Sequence, residues 1–117
     1  MLPDNKNVLK LLDQIQKEDL LKRLIQQINK DAQLVGIDLD LNENSSPENL
    51  VLNLKILLMD LINNKFSDYV NFLYRIDVSE KQMLELQGLE LNILTEKVAI
   101  LILRKEWQKV WFKSKNQ

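Results

Sequence analysis

Oxygen-bearing side chains stand at every second position where the stretch DLDLNENSSPEN, residues 38–49, begins: Asp38, Asp40 and Asn42. That spacing opens the calcium loop of a helix–loop–helix site, which takes ligands from its first, third and fifth positions. The remainder of the loop does not follow. Its sixth position, where the chain turns sharply on a Gly, is Glu43. The eighth, normally apolar, is Ser45, and the twelfth, a bidentate Glu in such loops, is Asn49. The stretch reads instead as an exposed acidic linker in which Leu39 and Leu41 tuck inward, and no metal is expected.

Enzyme chemistry finds little else to use. The chain has no His and no Cys, which removes the commonest general base, the thiolate nucleophile and the usual zinc ligands. A di-iron bundle would need Glu-x-x-His pairs. Glycines at 36 and 88 alone cannot cradle a phosphate, and none of the five Ser begins a Ser-x-x-Lys motif. Glu80, Glu85 and Glu90 drift around a helix rather than converge. A non-enzyme without a cofactor is expected.

The C-terminal segment carries the remaining candidates. Lys105, Lys109 and Lys113 recur at four-residue steps, beside an apolar stripe of Trp107, Val110 and Trp111 flanked by Phe112. These six residues, three Lys and three apolar, form the candidate partner-binding set. A basic amphipathic helix with aromatics suits a partner's groove, an anionic membrane surface or nucleic-acid phosphates. The net charge of −1 and Glu106 inside the basic patch rank nucleic acid and membrane below another protein or a second copy of this chain. The competing reading buries Trp107 and Trp111 against Phe66, Tyr69 and Phe72 and leaves the lysines solvated.

Those residues need helices to hold them. With 45% apolar and 28% charged residues, the 117-residue chain has the composition of one globular domain. Two Gly and two Pro leave little room for tight turns. Apolar stripes predict helices over about 5–16 (Val8, Leu11, Leu12, Ile15) and 17–35 (Leu21, Leu24, Ile25, Ile28, Ala32, Val35). Gly36 should close the second with a left-handed cap. Residues 37–46 lack periodicity and form a linker. Ser46 and Pro47 start a very apolar helix to about 64, with Ser45 and Glu48 as an alternative cap.

A shorter helix follows over 66–76. In VSEKQM, residues 78–83, Ser79 and Gln82 form a capping box, and Val78 and Met83 a hydrophobic staple. From residue 79 a long helix runs towards 113, with a possible bend at Gly88. An Arg75–Asp77 or backbone contact is expected to fix the corner before it. The fold class is therefore all-α, a single-domain bundle of four to five helices with a long C-terminal helix.

Charge is uneven along the chain. Residues 37–90 hold four Lys/Arg against ten Asp/Glu, and residues 91–117 hold six against two. An acidic middle and a basic end attract each other within one molecule or between two. The start, MLPDNKN, lacks the form of a signal peptide, and the longest apolar run, VAILIL at 98–103, is short for a membrane span. A cytoplasmic protein-binding module that self-associates is the expectation, with a nucleic-acid-binding regulator as the alternative.

Overall fold

The computed structural model describes residues 8–17 and 19–115. They form six helices and, among the described residues, no strand: α1 (Val8–Lys17), α2 (Leu21–Leu34), α3 (Pro47–Asn64), α4 (Phe66–Ile76), α5 (Glu80–Glu85) and α6 (Leu91–Lys115). The all-α bundle and the long last helix match the sequence. The expected start of α1 at residue 5, and the side chain of Val8, lie outside the described residues. No helix among those described is long and apolar enough to cross a membrane.

Helix α6 is the axis of the bundle, packing against α1, α2, α3 and α4. Its buried positions, Thr95, Val98, Ala99, Ile102, Leu103, Glu106, Trp107 and Val110, step by three and four along one face. The VAILIL run is thus divided: Val98, Ala99, Ile102 and Leu103 face in, while Ile100 and Leu101 are half-buried. On α3 the buried stripe is Leu50, Leu54, Leu58 and Leu61. The wider apolar face of that helix is not all covered, since Leu52 and Ile56 are exposed.

Helix ends obey local chemistry. Ser46 Oγ accepts the Asn49 backbone N–H at 3.2 Å with Pro47 at the first helical position, so Ser46 rather than Ser45 caps α3. Ser79 and Gln82 form the full capping box, each side chain accepting the other's backbone N–H at 3.1 Å. Gly36, at φ +79°, closes α2 as Ile37 N–H reaches back to Ala32 C=O at 2.9 Å. The corner after α4 repeats this closure with Asp77 in the left-handed position at φ 77°, and Val78 N–H on Leu73 C=O at 2.9 Å. That backbone closure holds the corner. Arg75 does not pair with Asp77 but reaches α2 instead.

Two junctions sharpen the expected boundaries. The chain leaves α1 through Asp19 at φ 54°, so the first two stripes of different phase belong to two helices. Gly88 sits at φ +80°, a conformation in which a side chain strains the backbone. It breaks the expected 79–113 helix into α5 and α6, which raises the helix count to six.

Candidate functional site

Two arrangements stand out: a buried charge cluster joining α2, α4 and α6, and an open apolar groove formed by α4, α5 and the start of α6.

The cluster centres on Asp31. It occupies the inward face of α2 and is 0% exposed. Its Oδ1 accepts from Arg75 Nε of α4 at 3.1 Å, and its Oδ2 from Lys109 Nζ of α6 at 2.9 Å and Gln27 Nε2 at 3.2 Å. Burial works against the charge on Asp31. Hydrogen bonds from Glu106, Lys109, Gln27 and Arg75 outweigh it and hold the carboxyl well below the usual carboxylate range.

Glu106, also 0% exposed, is the opposite case. Burial, and then the neighbouring Asp31, push its carboxyl up to about 8. Lys109 Nζ lies 2.9 Å from Glu106 Oε1, an ion-pair contact that works in the opposite direction and is outweighed. The raised Glu106 and the lowered Asp31 carboxyl leave Asp31 the member of the pair that carries the charge. Burial also opposes the charge on Lys109, but its bonds to Glu106 and Asp31 prevail and raise its pKa.

A neutral acid beside an ionised one is the equipment of acid–base catalysis. Neither carboxyl lines the apolar groove or the polar α2–α6 groove described below. Both carboxyls are fully buried, and the cluster clasps α2, α4 and α6 together. Among the described residues, no group of three or more Asp or Glu converges as metal ligands. In the 38–49 stretch Asn42 Oδ1 accepts Asn44 N–H at 2.8 Å, and Glu43 takes Gln26 Nε2 at 3.1 Å. Leu41 is held at both backbone atoms by the buried Asn29 side chain, at 2.8 and 3.0 Å. Leu41 is buried, Leu39 half-buried, and Asp38, Asp40 and Glu43 face solvent.

The six candidate partner-binding residues separate. Trp107 and Val110 belong to the core. Lys109 is engaged by Asp31 and Glu106. Trp111 is half-buried and meets Phe112 edge-on, with ring centroids 5.4 Å apart. Lys105 is half-buried, and Lys113 is exposed and donates to Gln27 Oε1 at 3.1 Å. Of the aromatics expected beside Trp107, Tyr69 and Phe72 share its core, but Phe66 turns outward.

Phe66 leads to the groove. It is 58% exposed, Tyr74 is 51% and Leu84 is 62%, and all three line one depression of about 440 Å³. Tyr69, Met83 and Leu94 contribute to its apolar lining, and Glu80 is the one charged residue there among the described residues. Helix α5, which carries Met83 and Leu84, has no fully buried residue of its own, though Met83 packs partly against the core. Sequence reasoning missed this site because its residues come from three helices and share no stripe. Compared with known protein families, curated proteins and solved structures, the chain finds no match.

A second, polar groove of about 300 Å³ runs between α2 and α6, lined by Arg23, Lys30 and Lys113 with Gln26 and Gln27.

Proposed function

We propose that this chain is a non-catalytic protein-interaction module whose α4–α5–α6 groove receives an apolar segment of a partner. The observation that carries the reading is the convergence of Phe66, Tyr74 and Leu84, each more than half exposed, on one groove. Single exposed apolar residues are ordinary on protein surfaces, whereas several around one depression mark binding sites. Glu80 on the lining favours a segment that carries a cation beside its apolar residues. The missing His and Cys, and the burial of both carboxyls of the Asp31–Glu106 pair, support a role without catalysis.

The test is a titration with a synthetic Leu/Lys amphipathic helix, followed by methyl NMR. Shifts concentrated on Met83, Leu84 and Leu94, and lost in Leu84→Glu, are expected. No shifts, or shifts centred on Leu52 and Ile56 of α3, would sink the groove reading.

A second reading is a phosphate-bearing polymer bound on the α2–α6 groove. Lys109 is spent on the clasp, but Arg23 and Lys30 join Lys113 there. Electrostatic binding of nucleic acid falls steeply with salt. A gel shift at low salt that disappears in a Lys30→Glu/Lys113→Glu variant would favour this reading, and no shift would remove it.

A further inference from the structure

The groove and the end of α6 complement each other. The groove is apolar, carries Glu80, and belongs to the part of the chain that holds ten acidic against four basic residues. The last turns of α6 present the reverse. Lys105, Gln108 and Phe112 step by three and four along one face, all exposed or half-buried, with Lys113 beside them. Phe112 is 45% exposed although it is a large aromatic, and its ring stands edge-on against Trp111. The final segment holds six basic against two acidic residues. A groove of about 440 Å³ lies within the roughly 300–1,000 Å³ of ordinary ligand pockets and has room for an aromatic side chain.

The two features cannot meet within one molecule. Leu94 lines the groove, and Phe112 lies about 27 Å further along the same unbroken helix, at 1.5 Å per residue. We propose that the C-terminal end of α6 of one copy, led by Phe112, docks into the α4–α5–α6 groove of a second copy. This rests on the groove being a protein-binding site and names its occupant. The contact joins two different surfaces, and in the head-to-tail arrangement proposed here each copy keeps one free groove and one free helix end. Such contacts grow into rings or open filaments rather than stopping at a symmetric pair. Glu80 in the groove and Lys105 and Lys113 on the helix end favour this contact over groove-to-groove contact.

The experiment uses two variants at exposed positions, Leu84→Glu in the groove and Phe112→Glu on the helix end. Circular dichroism melts confirm that both fold. Sedimentation velocity then follows the full-length wild type, each variant and an equimolar mixture over a concentration series. The expected result is a wild-type average mass that climbs with concentration, two monomeric variants, and a mixture that forms a one-to-one dimer and goes no further. The dimer joins the intact groove of the Phe112→Glu chain to the intact helix end of the Leu84→Glu chain.

A wild type that stays monomeric at high micromolar concentration would overturn the self-docking. The peptide titration above would still decide separately whether the groove binds protein. A wild type that associates while both variants still associate would also overturn it. Loss of association in Ile56→Glu would then place the contact on the exposed face of α3.

Discussion

Asp31 on α2 and Lys109 on α6 stand 78 residues apart in the chain and 2.9 Å apart in space. Breaking a buried ion pair from one side is more damaging than losing an exposed one, because the remaining charge stays without its partner. Asp31→Ala should cost about 3 kcal/mol, held to that by Glu106, which can ionise and take over Lys109. Arg75→Ala removes a half-exposed partner and should cost about 1 kcal/mol or less. Urea denaturation of both variants checks the ordering, and equal losses would mean that the clasp is not centred on Asp31.

The same cluster sets a pH dependence. Folded, Glu106 keeps its proton up to about pH 8, whereas its ordinary value is 4.5. Between those values the folded state binds more protons than the unfolded state, so stability falls as pH rises. Asp31 acts in the other direction. Its lowered pKa stabilises the fold above the ordinary value of 3.8, and that contribution is lost as pH falls. The cluster's contribution should therefore peak at about pH 4 to 5 and decline by on the order of a few kcal/mol towards pH 8. Glu106→Gln, which keeps a donor facing Asp31, should flatten the alkaline limb. Urea midpoints across the pH range test this, and an unaltered slope in the variant would assign the effect to other groups.

Asp77 holds a left-handed backbone at the corner after α4. Gly adopts that conformation without strain, while most other residues pay about 1–2 kcal/mol for it. Asp77→Gly should leave the melting temperature unchanged or slightly higher, and Asp77→Val should lower it by several degrees. A Val variant as stable as the wild type would mean that the corner opens at little cost.

Asn29 grips the linker through both of its amide atoms. Asn29→Ala leaves the Leu41 N–H and C=O without those partners and should cost about 1–3 kcal/mol. It should also speed exchange of the Leu41 amide proton and expose residues 37–46 to protease. Unchanged protection at Leu41 would show that the leucines alone hold the linker in place.

Helix starts and stops were legible because they obey rules spanning a few residues. Ser46 with Pro47, Ser79 with Gln82, and Gly36 each announce their role within one turn. The clasp escaped notice for a different reason. Charged residues are assigned to solvent by default, and a partner 78 residues away leaves no local trace. A signal did exist. Leu24, Ile28, Asp31 and Val35 step by four, three and four, and Leu103, Glu106 and Val110 by three and four. An acid therefore occupies a core position on each of two stripes. In the sequence Lys109 groups with Lys105 and Lys113 because the spacing of four is visible, while the inward reach of its side chain is not. The groove needed the break at Gly88, where one glycine in a helical pattern allows either a bend or a stop.

Helix α6 packs against four other helices and follows all of them in the chain. A ribosome has therefore made α1 to α5 before the element that joins them can emerge. Until then α3 lacks the α6 face it packs against, and Asp31 lacks Lys109. The nascent chain must pass this interval with its core open, and chaperones recognise that kind of exposed apolar surface. The bundle can close only once α6 is free to pack.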